Sequence, residues 1–186
     1  MTETSPRKLP LAPSRMTTGF AFTFIERCIK ESFANRHFGK PQMQQVIDEL
    51  CPQSPQCVYC GSMDLRRWDH LYPVAAGGDT VVGNMVPACG RCDDSKQDLP
   101  YREWVTSSAR YSPKSQGVTD LDVRLARLDS YVSRHKYSPR PIEQRLTQAE
   151  AAELARIRGK AAELRRDLDA LVEAFRERNG AKGTTH

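Results

Sequence analysis

The stretch 68–96, WDHLYPVAAGGDTVVGNMVPACGRCDDSK, is denser than any other part of the chain in side chains that can hold a metal or move a proton. It sets one of only four histidines beside an aspartate, ahead of a glycine pair, an isolated asparagine and a Cys-x-x-Cys. Cys57 and Cys60 form one such pair, CVYC, and Cys89 and Cys92 form another, CGRC, with 28 residues between the pairs. Two residues between thiolates let a tight turn aim both sulfurs at one ion, and two such turns complete the tetrahedron that zinc accepts. Structural Zn2+ on Cys57, Cys60, Cys89 and Cys92 is therefore expected. A redox dithiol is the competing reading, but it needs only one pair and a thioredoxin-like βαβ pattern that is not found. Of the remaining cysteines, Cys28 is expected to pack on an apolar helical face, and Cys51, just after a helix end, to be inert.

The elements that must position these groups follow from periodicity. Residues 1–16 hold three prolines and little pattern, which reads as a mobile tail. From Thr18, Phe22, Ile25, Ile29 and Phe33 recur at helical spacing until Gly39. A second short helix begins at Pro41, with Met43, Val46, Ile47 and Leu50 on one side. Between Gly61 and Val82 the helical period is lost. LRRWDHLYPV reads as a strand entering an extended turn at Pro73, GGDT bends the chain back toward TVVG, and ACGRCDDSKQDLPYREW reads as a metal turn running into a short helix. That order is strand, loop, strand, helix, clamped at both ends by cysteine pairs because it has little apolar surface of its own.

Further on, Thr119 and Asp122 make a capping pattern ahead of Leu121, Leu125, Leu128, Val132 and His135. His135 reads as a packing residue rather than a ligand. KYSPRP interrupts, Thr147 with Glu150 opens a longer helix, and Leu154, Ile157, Ala161, Leu164, Leu168, Leu171 and Phe175 alternate three and four apart as a coiled-coil seam does. Two arrangements fit: an intramolecular hairpin of the two helices, or a homodimer through the longer one. The boundaries read from these patterns are a tail at 1–16, N-terminal helices at 17–52, a zinc-bearing core at 53–110 and a C-terminal helical region at 119–178.

With 186 residues and 39% hydrophobic content, the chain suits one modest domain with appendages or two small ones. No apolar run approaches the roughly 20 residues needed to cross a bilayer, and the start lacks the apolar centre of a secretory signal, so a soluble, cytoplasmic protein without a membrane partner is expected. A formal charge of +5 and a pI near 9.0 suit a polyanionic partner such as nucleic acid.

Together these residues resemble the HNH endonucleases, whose catalytic unit is the ββα-metal fold. The resemblance covers about residues 57–104. Asp69-His70 is similar to the family's Asp-His pair, LYPVAAGGDT to its proline and glycine-pair loop, Asn84 to its middle asparagine, and CGRCDDSK to its Cys-x-x-Cys followed by a ligand and a lysine. Spacings agree: 14 positions from His70 to Asn84 and nine from Asn84 to Asp93. One departure stands out. The position after the last cysteine is usually histidine or asparagine in the family, and here it is Asp93.

The resemblance implies an α+β, mostly helical protein, with a small zinc-bound nuclease core flanked by N-terminal helices and the C-terminal hairpin or coiled coil. It implies a metal-dependent endonuclease acting on double-stranded DNA, for which restriction or phage defence is one setting. His70 would be the general base, since imidazole takes a proton from water near neutrality. Asp69 and Asp93 would hold one catalytic cation, their two anionic oxygens favouring Mg2+ or Mn2+, with Asp94 in reserve. Asn84 would bridge backbone groups across the loop so that His70 is held, and Lys96 would contact a phosphate. DNA contacts are expected from Arg66, Arg67, Arg91, Arg102 and Arg110, with Trp68 and Trp104 nearby but more in keeping with a core role. Neighbours in a strand point to opposite faces, so Asp69 and His70 serve one phosphate only if the strand twists or the DNA crosses its edge. The alternative is a catalytically inactive zinc module that binds nucleic acid through its basic surface.

Overall fold

The computed structural model describes residues 17–180. In chain order the elements are α1 (Thr18–Ser32), β1 (Arg36–His37), α2 (Lys40–Leu50), β2 (Leu65–His70), β3 (Thr80–Val81), β4 (Met85–Cys89), α3 (Gly90–Lys96), α4 (Tyr101–Val105), α5 (Leu121–Arg134) and α6 (Gln148–Arg178). Short 3-10 turns lie at Val74–Ala76 and Ile142–Gln144. The expected tail, 1–16, lies outside the described residues. The fold is mixed α and β with small sheets, and among the described residues no helix is long and apolar enough to cross a membrane.

The chain divides into two units, Arg27–Glu153 and the pairing of Met1–Glu26 with Leu154–His186. The larger unit is built on an antiparallel hairpin of β2 and β4, in which Asp69 faces Val86 and His70 faces Met85 across the ladder. A bulge between Leu65 and Arg67 absorbs Arg66. All five residues of β4 are buried, because the strand packs on both faces. Sequence periodicity had the chain returning through TVVG, and here the structure corrects it. Thr80–Val81 instead pairs in parallel with Arg36–His37, and the returning strand is MVPAC. The physical reason is the turn between them. Gly83 sits at φ 93°, a left-handed conformation, and a Cβ there would lie 2.7 Å from that of His135.

α3 follows β4 directly and completes strand, strand, helix. It ends at Gln97, at φ 50°, and Pro100 opens the separate helix α4, so the single helix expected across these residues is two. The core gathers Val46 and Leu50 of α2, Tyr59, Leu71, Val86, Ala88, Tyr101, Trp104, and Leu128 and Tyr131 of α5. Burying each large apolar side chain contributes roughly 1.5–3 kcal/mol. Trp104 is fully buried in this core with its Nε1–H donating to Ser95 Oγ, while half-buried Trp68 packs edge-on against Phe38. Asp120 is the N-cap of α5, without the Thr119–Asp122 capping box; the Asp120 carboxylate accepts from Arg124 instead.

The capping box at the start of α6, still within Arg27–Glu153, forms: Thr147 donates to Glu150 Oε2, and Glu150 N donates to Thr147 Oγ1. The smaller unit joins the first part of α1 to the rest of α6. Glu26 of α1 pairs with Arg158 of α6, and Thr18 donates to Asp169. Within this unit the partner of the long helix is thus α1. Ile157, Leu164, Leu168, Leu171 and Phe175 of the seam remain exposed, as do Phe20 and Phe24 of α1. Cys28, expected to pack, is also exposed.

Candidate functional site

A turn after α2 brings Cys57 and Cys60 to the end of the hairpin where Cys89 closes β4 and Cys92 opens α3. Gly61, at φ 79°, makes the turn possible, with Gly61 N donating to Cys57 O and Cys57 N to Ser62 O, both at 2.8 Å. The four sulfurs lie within 4.8 Å of one another, and Cys60 and Cys89 Sγ are 3.7 Å apart. A tetrahedron with zinc–sulfur bonds of about 2.3 Å has edges of roughly 3.8 Å, so these cysteines fit zinc. Electrostatics agree. The Cys60 thiol is pulled down to about 2 by hydrogen bonds from Cys57 and Cys92, while the Cys57 thiol is pushed up to about 12, chiefly by its bond to Cys60. One thiolate thus opposes the ionisation of its neighbours, a conflict that a divalent cation removes. Cys51 is buried apart from this group, with its Sγ donating to Gln56 O.

Asp69 and His70 close β2 and leave it on different sides. Asp69, 6% exposed, accepts from the Tyr59 hydroxyl at 2.5 Å on Oδ2 and from Lys96 Nζ at 3.2 Å on Oδ1. Burial raises its pKa, opposed by Lys96 and Tyr59, and the charge of Asp93 raises it further. Lys96 was expected to reach a phosphate. It is instead fully buried, and its Nζ donates to Asp69 and, at 2.6 Å, to the main-chain oxygen of His70. An ammonium without water needs such acceptors, and the short helix α3 delivers it to them.

The half-buried His70 ring meets Thr80 Oγ1 at 3.0 Å through Nε2. Burial, and then the charge of Lys96, push its pKa down to about 4, so the ring is neutral near pH 7. Glu31, Arg36 and Arg27 also act on it electrostatically.

Asn84, fully buried, spans the loop: Oδ1 accepts from Tyr72 N at 2.8 Å, and Nδ2 donates to Tyr72 O at 3.0 Å and Asp79 O at 2.7 Å. Its own carbonyl accepts from Leu71 N, next to His70. The glycine pair serves close approach. A Cβ on Gly78 would lie 1.8 Å from Tyr72 O, and one on Gly77, at φ 85°, 2.4 Å from the Arg140 backbone. Beyond the motif, Asp79 Oδ1 accepts from Asn35 N and Arg145 Nη1, both at 2.7 Å, and its N–H donates to the Tyr137 hydroxyl.

Asp93, on the first turn of α3, lies 3.8 Å from Arg67, and its pKa is raised by burial. Each of the two carboxylates has a cation beside it, Lys96 at Asp69 and Arg67 at Asp93. Among the described residues, however, the four cysteines form the group of three or more converging ligand atoms, and Asp69, His70 and Asp93 do not.

An open groove lined by Ser62, Asp64, Arg66, Arg67, Arg91 and Asp94 gathers three of the arginines expected on DNA. Arg66 pairs with Asp64 there, and Arg67 with Asp93 and Asp94. Arg102 stands apart, bound to Asp129, and the guanidinium of exposed Arg110 lies over the ring of Tyr111. Sequence reasoning missed Tyr59, Thr80, Arg27, Glu31, Arg36 and Arg145. Tyr59 and Thr80 lie within the motif but carry no spacing that ties them to Asp69 and His70, and Arg27, Glu31, Arg36 and Arg145 lie outside it at separations that follow no local period.

Comparison with known proteins agrees with this arrangement. Residues 57–99 match the family model for HNH endonuclease. The CRISPR-associated endonuclease Cas9 of Corynebacterium diphtheriae is 32% identical over 77 residues, 38% of this chain and 7% of that protein. Cas9 of Actinomyces naeslundii is 36% identical over 62 residues, 31% of this chain and 6% of that protein. This chain therefore matches less than a tenth of the length of either relative. No solved structure gives a significant match. The HNH endonuclease match thus falls on residues 57–99, the segment in which a zinc-type cysteine cluster, an Asp-His strand end and a buried asparagine coincide.

Proposed function

We propose that this protein hydrolyses DNA phosphodiester bonds, with His70 as general base, Asp69 and Asp93 as ligands of a catalytic Mg2+ or Mn2+, and Cys57, Cys60, Cys89 and Cys92 as a structural zinc site. The observation that carries the reading is the state of His70. Its imidazole is fixed at Thr80 through Nε2 and is neutral near pH 7, which leaves a lone pair free to accept a proton, although burial, by holding the pKa near 4, makes it a weak base there. In the tautomer whose Nε2–H donates to Thr80 Oγ1, the lone pair sits on Nδ1, the nitrogen left for water. Asn84 holds the loop that carries Thr80, and Lys96 anchors the main chain of His70, so both act as positioning residues. A divalent cation on the two aspartates supplies Lewis-acid stabilisation of the charge that grows on the phosphoryl and leaving oxygens. Arg66, Arg67 and Arg91 line a groove suited to phosphates, which bring affinity without sequence choice.

The exposed seam of α6 supports a homodimer as part of this proposal, since a second copy would cover Leu164, Leu168, Leu171 and Phe175. Sedimentation of a Leu164→Glu/Leu171→Glu variant tests it; an unchanged mass sinks it.

A second reading, a zinc module that binds nucleic acid without cutting, is favoured by one fact: both oxygens of Asp69 are engaged internally. Plasmid incubation with Mg2+ or Mn2+, beside a chelator control, separates the two. The nuclease reading expects cutting that falls on the order of 10²-fold or more in His70→Ala while the protein stays folded. Full activity in that variant refutes His70 as base, and binding without cutting by the native protein selects the second reading.

A further inference from the structure

Charged groups from outside the family segment stand beside the strand that carries the partner of His70, in addition to Lys96 at the His70 carbonyl. β1 runs parallel to β3 with Arg36 opposite Thr80, and Thr80 N donates to Asn35 O at 2.9 Å. Because Thr80 Oγ1 is bound to His70 Nε2, this register sets Arg36 one strand away from the imidazole's own partner. Arg36 has a companion. Glu31, near the end of α1, meets Arg27 Nε through Oε1 at 3.1 Å and Arg36 Nη1 through Oε2 at 4.0 Å. Two guanidinium groups thus bracket the two oxygens of one carboxylate, and their side chains are 76% and 66% exposed.

We propose that Arg27 and Arg36 form the phosphate-binding site for the DNA strand at His70, with the Glu31 carboxylate standing where a phosphodiester group binds. A phosphodiester matches the Glu31 carboxylate in charge and shape. Guanidinium forks bind paired anionic oxygens, and a carboxylate and the nonbridging oxygens of a phosphate offer the same pattern. A carboxylate in that place keeps two arginines preorganised and is readily exchanged, since a pair this exposed is worth little, roughly 0–1 kcal/mol. The groove arginines differ in position: they lie along β2 and α3, beside the cysteine cluster, and would hold the duplex further from the ring. The inference rests on reading His70 as the point of phosphodiester attack, and it extends the site to α1 and β1, beyond residues 57–99.

The test is binding, not cleavage. Full-length His70→Ala protein with zinc bound is titrated onto a labelled DNA duplex across a range of salt concentrations, using fluorescence anisotropy. Each phosphate contact contributes about 0.9 to the slope of log K against log salt. Adding Arg27→Ala and Arg36→Ala together should therefore flatten the slope by roughly 1.8 and weaken binding at least tenfold near 0.1 M salt. Glu31→Gln should act in the opposite direction and tighten binding, because the resident anion no longer competes. A thermal melt of each variant checks that these exposed substitutions leave the fold intact. Binding whose slope ignores both arginines overturns the inference and leaves the nuclease reading standing. Loss of His70-dependent cutting in the plasmid assay overturns that reading separately, and no DNA binding by any variant overturns both.

Discussion

Replacing Lys96 by methionine keeps most of the aliphatic stem and removes the ammonium, and the structure sets the size of the effect. Lys96 is fully buried, and its Nζ serves Asp69 Oδ1 at 3.2 Å and His70 O at 2.6 Å. Without it Asp69, only 6% exposed, keeps a single donor, the Tyr59 hydroxyl. Breaking a buried pair by removing one partner costs about 3–5 kcal/mol. Against a total stability on the order of 5–15 kcal/mol, that is a large fraction. With an m-value of roughly 2 kcal/mol per molar urea, the unfolding midpoint should fall by about 2 M. The pH dependence has a definite sign. Burial already holds the Asp69 pKa above its ordinary value, and losing Lys96 raises it further. A carboxyl raised in the folded state binds its proton there before the unfolded chain does, so it adds stability as pH falls through the folded pKa. The deficit of Lys96→Met should therefore narrow from pH 8 to pH 5, and Lys96→Met/Asp69→Asn should lie closer to the native protein than Lys96→Met alone. Zinc-saturated protein melted in urea at several pH values is the assay. A midpoint within about 0.3 M of native, on the same m-value scale, or a deficit that grows as pH falls, would refute the buried-pair argument.

Three further outcomes are expected. Gly78→Ala drives a Cβ to 1.8 Å from Tyr72 O and should cost at least about 2 kcal/mol in a denaturant melt, whereas Gly90→Ala, with open space at its Cβ, should be neutral or slightly stabilising. Cys57→Ser should lower both zinc stoichiometry by metal analysis and the calorimetric melting temperature, as should zinc chelation of the native protein; an unchanged melt in both argues against a structural ion. His70, with a folded pKa near 4 and an unfolded value of 6.5, is neutral in the fold, so its contribution is complete above pH 6.5 and is lost as pH falls toward 4. The native protein should thus lose up to about 3 kcal/mol more than His70→Gln over that window, measured by urea melts, and parallel curves would disprove it.

How far the site was legible depended on how local its chemistry is. The cysteine pairs could be read directly, because two residues between thiolates constrain a turn whatever lies around it, and the spacing brought all four sulfurs within 4.8 Å. Asn84 was legible through its spacing from His70 within one loop. Lys96 was not. Its place one turn after Asp93 was taken to reach a phosphate, and only the packing of α3 onto β2 buries it against Asp69. TVVG was misread as the hairpin strand because Val81 and Val82 are as strand-like as Met85 and Val86, and neither short run alternates to mark where pairing begins.

Local pattern by itself determined the helices α1, α2, α5 and α6, the cysteine cluster and the Asp-His strand end, since each rests on residues a few positions apart. Tertiary structure alone decided that Thr80 holds His70, that Tyr59 and Lys96 hold Asp69, and that Arg36 lies opposite Thr80. Those contacts join residues that are distant in sequence. A buried charge accepts whichever donor the packed core brings within reach, and nothing in the residues on either side says which one that will be.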